Sequence, residues 1–124
     1  MSEDCTSTVL VVEDEMFVRM IAADALEESG FAVLEAADAM QALEQLAAHR
    51  VAVLFTDINM PGEIDGLQLA DIVAVRYPHI KVIVTSGRHW LGSEDLPDHG
   101  IYLPKPYRAD QLTQLVQLQA SRTG

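Results

Sequence analysis

The stretch VAVLFTD, residues 51–57, decides how the chain is read. Its first five residues are apolar without interruption, the pattern of a strand covered on both faces, and it stops on an aspartate, Asp57. The runs Val9–Val12 and Val82–Val84 share that character. Together with Phe31–Glu35 and Ile101–Leu103 they give strand-length segments at Thr8–Val12, Phe31–Glu35, Ala52–Thr56, Ile80–Thr85 and Ile101–Leu103. Helical spacing fills the intervals. Val18, Ile21, Ala22, Ala25 and Leu26 form one apolar stripe, stopped by Gly30. Ala39, Ala42, Leu43, Leu46 and Ala47 form a second, with Asp38 as N-cap. Leu69, Ile72, Val73 and Tyr77 form a third, ended before Pro78, and Leu112, Leu115, Val116 and Ala120 form the last, with Asp110 near its start. The connection Gly87–Gly100 is poorly specified: Gly92 and Pro97 interrupt it, leaving a turn or two of helix around Ser93–Leu96.

This alternation predicts an α/β fold of the (βα)₅ kind, with a parallel five-stranded sheet between two helical layers and right-handed crossovers. The fourth helix is expected to be short or irregular. No boundary or linker divides the chain, so residues 1–124 are expected to form one domain, with 1–7 and 122–124 as tails.

Composition narrows the function. The 124 residues are 49% hydrophobic, enough for a core without staples, and the formal net charge is −11. Only 8 Lys and Arg are present, which disfavours a nucleic-acid surface and an anionic membrane surface alike. The one cysteine, Cys5, has no internal partner for a disulfide, and no apolar run approaches the roughly 20 residues of a membrane span. Residues 1–8 lack the basic and apolar regions of a signal peptide. A cytoplasmic protein is expected.

In sheets of this class ligands gather beyond the carboxyl ends of the strands. Glu13 and Asp14 follow the first strand, Asp57 ends the third, Thr85 and Ser86 the fourth, and Leu103-Pro104-Lys105-Pro106 the fifth. Converging carboxylates repel one another unless a cation sits among them, and a hard divalent ion such as Mg²⁺ suits carboxylate oxygens and leaves room for a phosphate oxygen. A carboxylate can attack phosphorus to give an aspartyl phosphate, a reaction that needs positioning and charge neutralisation above all. Each piece has an ordinary reading by itself. Asp14 can cap the following helix, Asp57 can form a turn, Thr85 to Gly87 can be turn chemistry, and Lys105 can be a solvated loop lysine. Agreement among the first, third, fourth and fifth strand ends favours one shared site.

The motifs VLVVED at 9–14, LFTDINMP at 54–61 with Asp65-Gly66, VIVT at 82–85 and YLPKP at 102–106 make the chain resemble the receiver domain of two-component response regulators. The resemblance implies a flavodoxin-like fold of strand order 2-1-3-4-5. It implies that Asp57 accepts phosphate from a phosphohistidine on a sensor histidine kinase or histidine phosphotransfer protein. It further implies a metal site of Glu13, Asp14, Asp57 and the carbonyl of Asn59 for Mg²⁺, or Mn²⁺ in its place, with Glu13 acting through a metal-bound water. Thr85 then follows the phosphoryl group, Tyr102 turns inward as Thr85 moves, and Lys105 pairs with Asp57 or its phosphate, ahead of a cis Lys105–Pro106 bond. The output implied is contact with a downstream protein, without nucleic acid or membrane. The chain is not expected to be a conventional enzyme. Two departures stand out: the stretch between Pro61 and Gly66 is one residue longer than the commonest spacing, and the segment from Thr85 to Lys105 is short. Unusual mobility is expected at Gly87–Gly100.

Rival readings are an unphosphorylated receiver used as an interaction module and an aspartyl-nucleophile phosphatase. The first is disfavoured by the complete set Glu13, Asp14, Asp57, Thr85 and Lys105. The second is disfavoured because dehalogenase-like phosphatases carry another Asp two residues on, where this chain has Asn59. His49, His79, His89 and His99 lack metal-ligand spacing, Trp90 is packing or a partner anchor, and the methionines other than Met60 are core filling.

Overall fold

A computed structural model describes residues 7–60, 62–87 and 100–121. Five strands are present: β1 (Thr8–Val12), β2 (Ala32–Ala36), β3 (Val53–Asp57), β4 (Lys81–Ser86) and β5 (Ile101–Pro104). Among the described residues four helices accompany them: α1 (Met16–Glu28), α2 (Ala39–Ala48), α3 (Gly66–Arg76) and α4 (Ala109–Ser121). All pairings are parallel and the order is β2-β1-β3-β4-β5, the expected flavodoxin-like arrangement. Each strand begins within one residue of its expected start.

The uninterrupted apolar runs become the buried centre. Val9 to Val12, Val53 to Phe55 and Val82 to Val84 are shielded from solvent on both sides. One core layer joins Leu10, Val12, Leu54 and Val84 to Leu46 of α2 and Leu69 and Val73 of α3. The other joins Val9, Val11, Phe55 and Ile83 to Leu26 of α1 and Leu112 and Val116 of α4. Alternate residues of one strand therefore serve opposite layers, as pleating requires.

Helix boundaries follow local chemistry. The Asp38 carboxylate accepts the Gln41 backbone N–H at 2.8 Å and starts α2. Asp65 and Gln68 form a reciprocal capping box at the start of α3. At the end of α1, Phe31 N–H donates to the Leu26 carbonyl and Gly30 N–H to that of Glu27. This closing pattern needs a residue of positive φ, and Gly30 supplies it at 101°.

Three expectations are corrected. Met16, Met20 and Met40 are exposed rather than core filling, since they lie on the outer faces of α1 and α2. Ile21 is 65% exposed rather than part of the core stripe of α1. The helix packs on the sheet through Ala22, Ala23 and Leu26, and Ile21 lies about 100° around the helix from Ala22. Ala47 of α2 is likewise exposed, because Ala39, Ala42 and Leu46 alone define the buried line. The expectations for the fourth helix, for mobility at Gly87–Gly100, and for Cys5, Trp90, His89 and His99 fall on positions outside the described residues, except for Gly87 and Gly100 themselves.

Candidate functional site

The sheet delivers its polar residues to one end. Glu13 is the residue after β1, Asp57 the last of β3, Thr85 the last but one of β4, and Lys105 follows β5. Asp57 and Thr85 are register partners across the β3–β4 ladder, so they share a face of the sheet. One carboxylate oxygen each from Glu13, Asp14 and Asp57 lies within 4.8 Å of the others. Glu13 and Asp57 are buried, whereas Asp14 is exposed.

Lys105 closes the cluster. Its Nζ donates to Asp57 Oδ2 at 2.9 Å and to Glu13 Oε1 at 3.0 Å. Two carboxylates 4–5 Å apart repel by roughly 3–4 kcal/mol at an effective dielectric near 20, and the ammonium between them offsets this. Burial alone pulls the lysine down, but its hydrogen bonds to Asp57 and Glu13 outweigh that and hold its pKa above the usual lysine range. Burial pushes the Glu13 carboxyl up to about 7, against the opposing pull of Lys105 and of the Glu15 backbone N–H, with Asp57 adding to the rise. A carboxylate so penalised is one that a divalent cation would relieve, because the ion's own charge reverses the local balance. The donor set suits a hard cation in kind as well, being all oxygen.

The remaining geometry holds Asp57 rigidly. Asn59 N–H donates to Asp57 Oδ1 at 3.1 Å, and Ile58 N–H donates to the Thr85 carbonyl at 3.0 Å. The Asn59 side-chain amide donates to Ser86 Oγ at 3.1 Å. Gly66 N–H returns to the Ile58 carbonyl at 2.9 Å, and a Cβ at Gly66 would collide with the Asp57 carbonyl and stand 2.7 Å from the Ile58 Cα. Tyr102 donates its hydroxyl to the Ser86 carbonyl at 2.9 Å. The Lys105–Pro106 bond is cis. Beside it Tyr107 packs edge-on against Phe55, ring centroids 5.7 Å apart, and burial pushes its phenol up to about 12.

Thr85 differs from its neighbours. It is 1% exposed, and its hydroxyl has no hydrogen-bond partner among the described residues.

The ordinary reading of Asp14 as a helix cap does not hold. The N-cap of α1 is Glu15, and no side chain closes it; the Glu15 N–H is taken instead by Glu13 Oε2 at 3.2 Å. Sequence reasoning missed Gly66 as a close backbone neighbour of Asp57, and it missed Ser86 as the acceptor for Asn59 and Tyr102. It also missed Arg19, whose Nη1 donates to the Glu13 carbonyl at 2.8 Å. A glycine following a capping aspartate was the available signal for Gly66. Arg19 had none, being one charged residue on a helix face.

Known proteins converge on the same reading. The response regulator receiver domain profile matches residues 9–117. The nitrogen assimilation regulatory protein NtrX of Azorhizobium caulinodans is 33% identical over 113 residues, which are 88% of this chain and 25% of that protein. The sensor kinase CckA of Brucella abortus is 37% identical over 117 residues, 90% of this chain and 12% of that one. The chain thus spans a quarter or less of the length of these two relatives. The receiver domain of the Francisella response regulator 1452 superposes with a TM-score of 0.87 at 27% identity, covering 96% of this chain and all of the other. Strand order, the acid–lysine cluster at the carboxyl edge and a family match along nearly the whole length agree, and the chain belongs to the response regulator receiver domain family.

Proposed function

We propose that the chain is a phosphoryl-accepting receiver in a two-component phosphorelay. A carboxylate oxygen of Asp57 attacks the phosphorus of a phosphohistidine, on a sensor histidine kinase or a histidine phosphotransfer protein. The phosphorus–nitrogen bond breaks, and the imidazole leaves. Glu13, Asp14, Asp57 and the carbonyl of Asn59 would hold Mg²⁺, or Mn²⁺ in its place. Such a cation supplies charge neutralisation to the phosphoryl oxygens when bound.

The observation that carries this reading is the buried, unpartnered Thr85 hydroxyl on the register partner of Asp57. Leaving a buried hydroxyl unmet costs about 1–3 kcal/mol. A phosphoryl oxygen on Asp57 would accept its proton, and Lys105 would turn from the carboxylate to the phosphate. The state carrying phosphate then has contacts that the other state lacks, which is what a population shift requires. Tyr102 is coupled to this movement because its hydroxyl holds the carbonyl of Ser86, the residue after Thr85.

A protein donor needs a docking face beside Asp57. Met16, Phe17, Met20 and Ile21 are exposed on one side of the first turns of α1, which begins two residues after Asp14. An exposed apolar patch of this kind fits a protein partner, and we assign it to the phosphodonor. The output is contact with a downstream protein, without nucleic acid or membrane. No helix among the described residues is long and apolar enough to cross a membrane. We read residues 1–124 as one receiver unit acting in the cytoplasm, catalysing its own phosphorylation and dephosphorylation only.

The test is incubation with acetyl phosphate and Mg²⁺, read by intact mass. A gain of one phosphoryl group that is lost in Asp57→Asn supports the proposal. No gain in the wild type points to an interaction module, and repeated turnover of an unrelated phosphoester points to a hydrolase.

A further inference from the structure

We propose that Arg19 is a positioning residue for the acidic pair Glu13–Asp14, and that Glu35 of the edge strand β2 holds it in place. The inference rests on the reading of Glu13, Asp14 and Asp57 as cation ligands.

β1 makes its last rung to β2 where Glu13 N–H donates to the Ala36 carbonyl at 3.0 Å. Beyond that point the chain turns into α1, and the carbonyl of Glu13 is taken by Arg19 Nη1 at 2.8 Å. The same guanidinium donates through Nε to Glu35 Oε1 at 3.1 Å. Arg19 is well covered for an arginine, its side chain 17% exposed, while that of Glu35 is 43% exposed. A guanidinium is a rigid fork with donors in fixed directions, so one side chain can tie the acid-bearing turn to a neighbouring strand. β2 places no group in the site itself. Through this link it fixes the backbone between the two acids.

Charge makes the idea testable by sign. Arg19 is a fixed cation beside a site for another cation, and Glu35 neutralises it. If Arg19 acted through charge alone, its removal would tighten Mg²⁺ binding. If it acts by holding the turn, removal weakens binding.

The experiment is calorimetric titration of Mg²⁺ into the full chain, beside urea unfolding of each variant. Arg19→Gln is expected to weaken Mg²⁺ about fivefold, the scale of one ordinary net hydrogen bond. Arg19→Lys is expected to recover part of the loss, since an ammonium can serve the Glu13 carbonyl but cannot span both acceptors. Glu35→Gln is expected to weaken Mg²⁺ about twofold to threefold, less so at high salt because the uncovered Arg19 charge is then screened. The double variant is expected to be no worse than Arg19→Gln alone, because both act through one link. A merely structural arginine would lower the urea midpoint and leave the affinity of the folded protein untouched. Unchanged or tighter Mg²⁺ in a folded Arg19→Gln overturns the inference. If Arg19→Gln does not fold, unchanged affinity in Glu35→Gln, altered at an exposed side chain, overturns it instead. Failure of the wild type to bind Mg²⁺ overturns the cation reading and this inference with it.

Discussion

Across the middle of the sheet Val11, Phe55 and Ile83 stand side by side, paired strand to strand and sealed into the layer under α1 and α4. Two residues further along, Asp57 and Thr85 pair on the same face, and Glu13 stands just past the end of β1. One pleat separates a row that is wholly apolar from a row with two buried carboxylates and an unmet hydroxyl. The lower row contributes stability that depends on volume and not on pH or ions. The upper row is held in place by the lower one, and the conflict between its two carboxylates is offset by Lys105. Rigidity and reactivity are divided by position along the strand.

The largest effect expected is in the lower row. Ile83→Ala removes a fully buried side chain and should cost about 2–5 kcal/mol, read as a lower urea midpoint of similar size at pH 5 and pH 8. A strongly pH-dependent loss would show that the two rows are not independent.

Next comes pH acting on the upper row. The folded Glu13 carboxyl is raised from 4.5 to about 7, so the folded state holds its proton more tightly than the unfolded chain does. Stability is therefore expected to fall as pH rises from about 4.5 to about 7, by no more than about 3 kcal/mol. Glu13→Gln should flatten that slope, and saturating Mg²⁺ should reverse it by favouring the ionised form. A flat profile in the wild type without Mg²⁺ would mean that Glu13 is not strained.

Thr85→Val should be smaller and opposite in sign, a gain of about 1 kcal/mol on removing a buried unmet hydroxyl. The same variant should still accept phosphate at Asp57, yet lose the phosphate-dependent change in hydrogen exchange at β4 and β5. A destabilised Thr85→Val would imply that the hydroxyl has a partner in solution.

Least of all, Phe17→Ala lies outside both rows, on a side chain 74% exposed. Its stability should stay within about 0.5 kcal/mol. Phosphorylation by acetyl phosphate should be unchanged, while transfer from a cognate phosphohistidine protein falls severalfold. Equal loss with both donors would falsify the docking role of α1.

Much of this was legible because strand burial leaves a plain mark. Doubly covered strands must be apolar without alternation, so Val9–Val12, Val51–Phe55 and Val82–Val84 announced the central sheet, and its topology then carried Glu13, Asp57, Thr85 and Lys105 to one edge. What escaped had no local signature. Ile21 fits the same apolar stripe as Ala22, and only the packing of small alanines against the sheet shows which of the two faces inward. Arg19 and Glu35 are 16 residues apart and meet because β2 pairs with β1. Thr85 was legible as a hydroxyl at the strand end, but that this hydroxyl is buried without a partner shows only once the sheet is packed.

The stapled ends of the loop after Asp57 bear on how this protein can be engineered. Gly66 N–H closes on the Ile58 carbonyl, and Gly66 itself leaves no room for a side chain against the Asp57 backbone, so both feet of the loop are anchored. Gly62 and Glu63 are exposed between those feet. Doubling the length of an anchored loop adds only about 0.6 kcal/mol of closure entropy. A short peptide tag inserted at Glu63 is therefore expected to be tolerated and to lie beside Asp57, while the two feet keep that carboxylate where the sheet put it.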